Sequence, residues 1–190
     1  MDTLGWKDLS RVEKYDARIF TVDEVRRRSA DGREGGFTVL KSPDWVNVIA
    51  PVRGGGGKRS FLMVRQFRHG SGHITVEFPA GMINPGEDPV AAAAREFEEE
   101  TGYTASSYRL IGACNPNPAF MSNRVYTFLA EGAVPSGEQN LDEHEMIEVS
   151  VVPEEDVLNN LAIEEFDNGI MLIAGFFYCR YREKKEAESE

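Results

Sequence analysis

Short apolar stretches alternate along this chain with polar turns that contain glycine, aspartate or proline. Period-two alternation and β-branched residues predict strands at 17–27, 37–40, 45–52, 60–67, 74–78, 107–113, 124–130 and 146–152. Residues 53–59, RGGGGKR, precede no helix and are predicted to form a plain hairpin loop rather than a phosphate cradle. Helices are predicted at 89–101, 153–161 and 168–182. Strands on either side of a central helix predict an α/β fold, a sandwich with a mixed sheet.

The central helix has clear boundaries in the sequence. Asp88 is a favourable N-cap, Pro89 suits the first helical position, and Gly102 suits a left-handed C-cap. At about 100° per residue, one face of this helix is small and apolar and is expected to pack on the sheet; it carries Val90, Ala93, Ala94, Phe97 and Thr101. The other face carries Arg95, Glu96, Glu99 and Glu100, while Glu98 points to neither centre and is expected to be solvated.

The carboxylates on this face predict a cation site. Glu96 and Glu100 repel each other at i,i+4, whereas Arg95 can pair with Glu99 one turn on and with Glu87 from the preceding loop. Glu96 and Glu100 are then left to hold a cation, and oxygen ligands favour Mg²⁺ or Mn²⁺. The alternative is a solvated acidic face, which is common in a chain with 32 Asp and Glu.

The spacing of these residues argues against that alternative. Residues 81–103 read GMINPGEDPVAAAAREFEEETGY, which fits the pattern G-x5-E-x7-R-E-x-x-E-E-x-G. The pattern resembles the Nudix box, although Phe97 and Tyr103 stand where that family usually has branched aliphatic residues. The resemblance covers roughly residues 45–180. It implies an α/β/α sandwich and a hydrolase that cuts nucleoside diphosphates linked to another moiety.

The approach to the box resembles one branch of the family, the ADP-ribose and nucleoside diphosphate sugar pyrophosphatases. The chain has Gln-Phe-Arg at 66–68 and Glu-Phe-Pro-Ala-Gly at 77–81, and Pro118 stands 15 residues after Tyr103. The resemblance implies that the Ala80 carbonyl joins Glu96 and Glu100 in holding two or three Mg²⁺ or Mn²⁺ ions. It also implies that Arg68 contacts substrate phosphate or sugar. The alternatives are a surface ion pair for Arg68 and an ordinary turn proline for Pro118.

A general base is expected in the polar loop that precedes the strand at 146–152. In the same branch a glutamate of this loop activates water, and Glu145 matches it best, with Glu143 as the alternative. Glu99, oriented by Arg95, is a further catalytic candidate. Trp45 is a candidate for stacking on the base of a nucleotide, with burial in the core as the alternative.

The amino-acid composition limits the classes of molecule that this chain is expected to bind. The formal net charge of −11 opposes binding to polymeric nucleic acid or to anionic membranes. The two cysteines, the polar N-terminus and the short apolar stretch at 169–179 lead us to expect a cytoplasmic protein. We expect a β extension at 1–44 that helps to build a homodimer, a hydrolase domain at 45–182 and a charged tail at 183–190.

These features together predict Mg²⁺-dependent hydrolysis of the pyrophosphate of ADP-ribose or another nucleoside diphosphate sugar, giving a nucleoside monophosphate and a sugar phosphate. Two alternatives remain open. One is a Nudix enzyme for nucleoside triphosphates or dinucleoside polyphosphates. The other is a binding module that only senses a nucleotide, which the complete set of box glutamates disfavours.

Overall fold

The computed structural model describes residues 3–188, which form two units. The first unit holds the chain up to Asp44 together with Asn115–Arg124. Its three strands form an antiparallel sheet in the order β1-β2-β3: β1 (Trp6–Asp16), β2 (Thr21–Ser29) and β3 (Glu34–Lys41). The segment 115–124 pairs with the end of β3, because Leu40 exchanges backbone hydrogen bonds with Phe120 and Ser122.

The second unit, Trp45–Cys114 with the chain from Val125 onward, contains the remaining elements. Its strands are β4 (Trp45–Ile49), β5 (Pro51–Arg53), β6 (Arg59–Arg68), β7 (His73–Glu77), β8 (Ala80–Met82), β9 (Tyr103–Thr104), β10 (Ser107–Cys114), β11 (Val125–Glu131), β12 (Val134–Pro135) and β13 (Ile147–Pro153). Its helices are α1 (Pro89–Thr101), α2 (Glu154–Asn159) and α3 (Gly169–Ala187).

Two sheets lie at the centre of this unit. One has the order β10-β11-β4-β8 and is mixed, since β11 and β4 run parallel while the other pairs are antiparallel. The other has the order β13-β6-β5, and β7 also pairs with β6. The β5–β6 pair is an antiparallel hairpin, as predicted for the glycine-rich loop. The predicted mixed α/β architecture is confirmed.

Alternating side chains of β4 and β6 divide the core into two layers. Val48 and Leu62 pack with Phe97 of α1 in one cluster. Ile49 and Phe61 pack with residues of α2 and α3 in the other. Because successive residues of a strand point to opposite faces, these strands support α1 on one side and α3 on the other.

The predicted caps of α1 are confirmed. The Asp88 side chain accepts a hydrogen bond from the Val90 backbone N–H, and Gly102 has φ +69°. The prediction for Val90 is wrong, because this side chain is 41% exposed and Ala92 is buried in the apolar face instead.

Two further expectations differ from the structure. The predictions placed no strand before residue 17, yet β1 spans 11 residues and all of them are exposed. Two register shifts, between Asp8 and Ser10 and between Glu13 and Tyr15, break the period-two pattern by which a strand is recognised. The second difference is that α3 continues to Ala187, five residues beyond its predicted end. No helix within residues 3–188 is both long and apolar enough to cross a membrane.

Candidate active site

The Arg95 guanidinium organises the N-terminal side of the site. It forms a bidentate pair with Glu87, with both N···O distances at 2.9 Å. Its Nη1 donates to Glu96 Oε1 at 2.8 Å and to Glu99 Oε2 at 3.0 Å, and its Nη2 donates to the Met82 carbonyl at 3.0 Å. The predicted pairs with Glu87 and Glu99 are confirmed. The expectation that Arg95 leaves Glu96 free is wrong for one of the two Glu96 oxygens.

Glu100 and Glu96 are held where a negative charge is unfavourable. Burial and the nearby charges of Glu96 and Glu145 raise the pKa of Glu100 to about 8, although the Ala80 N–H, which donates to Glu100 Oε2 at 2.9 Å, acts in the opposite direction. Burial likewise raises the pKa of Glu96, against the lowering effect of Arg95. Two carboxylates so placed gain from a nearby cation, which would remove both the repulsion and the cost of burying charge.

Glycine is required at position 81 by the packing of Glu96. A Cβ built on Gly81 would lie 2.0 Å from Glu96 Cδ and 2.1 and 2.3 Å from its two oxygens. The Glu96 carboxylate therefore rests against bare main chain at the middle residue of β8. Any side chain at position 81 would push that carboxylate out of the cluster.

The oxygens of this cluster suit a hard divalent cation. Within residues 3–188, no three His, Cys, Asp or Glu side chains already converge as a ready-made metal site. However, Glu96 Oε2 and Glu100 Oε1 accept no hydrogen bond from the described residues, and a cradle that a Cβ would fill lies beside them. Carboxylate and main-chain oxygens fit Mg²⁺ or Mn²⁺, so these residues fit the expected metal.

The loop between β12 and β13 brings Glu145 near this cluster. The charge of Glu145 acts on the pKa values of Glu96, Glu100 and Arg68. Its Oε2 accepts a hydrogen bond from the Asp142 N–H at 3.0 Å, and its own N–H donates to the Asp142 carbonyl, which closes a tight turn.

The alternative residue of the same loop, Glu143, is exposed. In the part of the chain that the structure describes, its side chain makes no hydrogen bond or ion pair. The geometry favours Glu145 of the two.

Arg68 is paired inside the protein. Its Nε and Nη2 donate to the two oxygens of Glu77 at 2.8 and 2.7 Å, and the Thr75 hydroxyl donates to the same carboxylate. Burial acts to raise the pKa of Glu77, but Arg68 and Thr75 outweigh it and hold that pKa below its usual range. Sequence reasoning quoted Glu77 as part of a motif but missed this pairing. Arg68 lies opposite His73 and Glu77 lies opposite Val64, so the two side chains share one face of the β6–β7 hairpin without being neighbours in its register, and no short spacing in the sequence indicates the pairing.

The remaining candidates are more loosely connected to the cluster. Trp45 is half-buried at the start of β4, opposite Met82 of β8. Glu99 is held by Arg95 and is partly exposed. Pro118 belongs to the first unit, where it is exposed in a turn closed by Met121 N–H on the Asn117 carbonyl at 2.9 Å. Proline commonly occupies such a turn position for conformational reasons alone.

Comparison with known proteins gives the same family as the box. Residues 43–172 match the NUDIX domain. The ADP-ribose pyrophosphatase of Bacillus subtilis (strain 168) is 34% identical over 159 residues, which cover 83% of this chain and 84% of that protein. The ADP-sugar pyrophosphatase of Mus musculus is 43% identical over 76 residues, 40% of this chain and 33% of that protein. A crystal structure of an ADP compounds hydrolase has a TM-score of 0.82 at 21% identity and covers 97% of this chain and 98% of its own, which shows a shared fold.

Replacing Glu100 by glutamine tests the electrostatics of the cluster. Glu100→Gln removes a buried carboxylate that repels Glu96 and Glu145, so in EDTA the variant is expected to be more stable by about 1–3 kcal/mol. That gain corresponds to a rise in melting temperature of roughly 3–10 °C, measured by calorimetry. Added Mg²⁺ is expected to raise the melting temperature of the unmodified protein but not that of the variant.

Glu98→Gln is the matched control, because it removes the same charge from an exposed position on the same helix. An equal gain in both variants would mean that net charge, and not the cluster, sets the effect.

Proposed function

This chain belongs to the NUDIX family of hydrolases, and from that premise we propose that it hydrolyses the pyrophosphate bond of ADP-ribose or another nucleoside diphosphate sugar. The observation that carries the proposal is the similarity to an ADP-ribose pyrophosphatase along 83% of the chain. The similarity to an ADP-sugar pyrophosphatase supports the same substrate class. The products would be a nucleoside monophosphate and a sugar phosphate.

Glu96, Glu100 and the Ala80 carbonyl would hold Mg²⁺ or Mn²⁺. The support is the fit of their oxygens to a hard cation and the raised pKa values of the two carboxylates, which a cation would relieve. When bound, the metal would neutralise the diphosphate, lower the pKa of water and stabilise the leaving phosphate. Arg95 would keep Glu96 and Glu99 in place through its pair with Glu87.

Glu145 would act as the general base. It lies close enough to Glu96 and Glu100 to affect their pKa values, and within residues 3–188 its carboxylate accepts a hydrogen bond only from the exposed Asp142 N–H. Breaking that one hydrogen bond would free the carboxylate to take the proton of the attacking water. Because a hydrogen bond between exposed groups contributes only about 1 kcal/mol, the turn opposes this movement little.

Arg68 would contact the substrate with the part of its guanidinium that Glu77 does not use. Nε and Nη2 face Glu77, whereas Nη1 donates no hydrogen bond to the described residues. The side chain is also 39% exposed. Glu77 would therefore fix the plane of the guanidinium and present Nη1 to a phosphate or sugar oxygen.

The two loop glutamates should differ in their effect on catalysis. Glu145→Gln is expected to lower kcat by about 10²–10⁴-fold with a smaller change in KM, because a base acts in the transition state. Glu143→Gln, which changes charge equally two residues away, is expected to change kcat by less than about threefold, within the range of a solvated charge. Steady-state kinetics with ADP-ribose at fixed Mg²⁺ measures both. A larger loss in Glu143→Gln would move the base upstream, and two silent variants would remove this loop from the mechanism.

A substrate panel tests the proposed class. ADP-ribose, ADP-glucose, GDP-mannose, UDP-glucose, ATP and dGTP are compared at fixed Mg²⁺. We expect kcat/KM for the best diphosphate sugar to exceed that for any triphosphate by roughly tenfold or more, a ratio that needs about 1.4 kcal/mol. A clear preference for triphosphates would overturn the substrate assignment and leave the family untouched.

Arg68→Lys is the informative variant in this panel. Arg68→Ala would leave Glu77 charged and buried, which is strongly destabilising, so its loss of activity would be ambiguous. Lysine retains the charge but loses the planar fork, and we expect KM for the diphosphate sugar to rise by about three- to tenfold. An unchanged KM would limit Arg68 to its pair with Glu77.

We further propose a homodimer formed through the sheet of the first unit. The β1 strand exposes four large apolar side chains, Trp6, Leu9, Val12 and Tyr15, of which Val12 is 51% exposed. Val12 and Tyr15 lie on the same face of the sheet, opposite Glu24 and Val22, and exposed apolar side chains grouped on one face favour an interaction site. Light scattering after gel filtration is expected to give twice the mass of one chain, and Val12→Asp is expected to give one chain's mass. Val151→Asp, at a similarly exposed position of the second unit, is the control and should remain a dimer.

A further inference from the structure

A short segment, residues 136–140, attaches the base-carrying loop to the last turn of α1. The last carbonyls of a helix have no partner within the helix and must find one outside it. Here the N–H groups of Ser136 and Gly137 both donate to the Gly102 carbonyl, and the Asn140 N–H donates to the Glu99 carbonyl at 2.9 Å. The segment thus binds the helix end that carries the carboxylate cluster.

Gln139 makes a connection of a different kind. Its side-chain Nε2 donates to the Glu100 carbonyl at 2.5 Å and to the Ile147 carbonyl at 3.3 Å. Both neighbours are carbonyl oxygens, which only accept, so the amide must direct its NH₂ group toward them. One side chain therefore joins the residue that carries a cluster carboxylate to the first residue of β13.

The loop between these two attachment points carries both base candidates. It runs from Asn140, fixed to the Glu99 carbonyl, to Ile147, fixed through Gln139 to the Glu100 carbonyl. Both ends of the loop are thereby linked by hydrogen bonds to the same turn of α1. The position of Glu145 relative to Glu96 and Glu100 then depends on a side chain that hydrogen-bonds to none of the three carboxylates.

We propose that Gln139 is a positioning residue, which holds the loop that carries Glu145 against the last turn of α1. This role rests on the proposed function, because it assumes that Glu145 is the base. Removing both amide donors would leave the Asn140 attachment and the pairing of Ile147 with Gln66 of β6, but it would break the link that joins the C-terminal end of the loop to the Glu100 carbonyl. Glu145 would then sample positions away from the carboxylate cluster, and a displacement of about 1 Å is enough to slow catalysis strongly.

Two variants of Gln139 and one neighbouring control test the proposal. Gln139→Leu keeps the approximate size and loses both donors, and Gln139→Glu places a carboxylate against two carbonyl oxygens. Ser136→Ala is the control, because it also removes one side-chain hydrogen bond from this segment to α1, that from Ser136 Oγ to the Gly102 carbonyl at 3.1 Å. It leaves the link to Ile147 intact.

Hydrogen exchange of the metal-free protein measures the attachment itself. In Gln139→Leu we expect amide exchange within residues 141–147, including the Glu145 N–H, to accelerate by about tenfold. Amide exchange within α1 is expected to be unchanged. In Ser136→Ala this region should exchange as in the unmodified chain. Unchanged exchange in both Gln139 variants would overturn the proposal, whatever their activity.

Kinetics then measure the consequence for the reaction. We expect kcat for ADP-ribose to fall by about tenfold in both Gln139 variants with KM within twofold, and Ser136→Ala to keep its kcat. Faster exchange with an unchanged kcat would overturn the positioning role. If the unmodified chain hydrolyses no member of the substrate panel, the proposed function fails, whereas the exchange result still decides whether Gln139 holds the loop.

Discussion

The geometry of the site depends on one guanidinium whose N–H donors are all used in hydrogen bonds. Arg95 uses all five of its N–H donors, two on Glu87, one each on Glu96 and Glu99, and one on the Met82 carbonyl. These acceptors come from the end of β8, from the loop that follows it and from α1, which are three separate parts of the chain. A single rigid, always charged group therefore fixes the geometry of the turn and of the helix together. The same group lowers the pKa of Glu87 to about 2, so the pair stays ionised over the whole range in which the protein is expected to work.

In contrast to the stabilising pair of Arg95 and Glu87, the pair of Glu96 and Glu100 is destabilising. Glu100 is buried and Glu96 is partly buried beside it, and their raised pKa values reflect the free-energy cost of ionising them in that place. A sequence selected for stability alone would not place two carboxylates there. The arrangement is typical of sites where local stability is given up for function. The hydrogen bonds of Arg95 stabilise the segment around these carboxylates. The helix keeps both of its caps, and its apolar face packs on the sheets.

The predictable parts of the structure were those encoded by neighbours in sequence. The caps of α1 and the pairing of Arg95 with Glu87 and Glu99 follow from spacing on one helix and its entry loop. The strand β1 did not, because two bulges disrupt its alternation. The pairing of Arg68 with Glu77 depends on the register of β6 and β7, which places both side chains on one face of the hairpin. The hydrogen bonds of Gln139 go to main-chain carbonyls, which every residue has, so no residue pattern reports them.

Gly81 sets a limit on how this site can change over time. The wall that faces the Glu96 carboxylate is main chain, and a Cβ there would occupy the space of that carboxylate. No residue is smaller than glycine, so substitution at position 81 cannot enlarge the space beside Glu96. A larger residue could only take up that space. Selectivity among substrates would then depend on side chains at exposed positions of the site, such as Glu143, and not on this wall. Metal binding and substrate selectivity would thus be carried by different elements, a strand with bare main chain and an exposed loop.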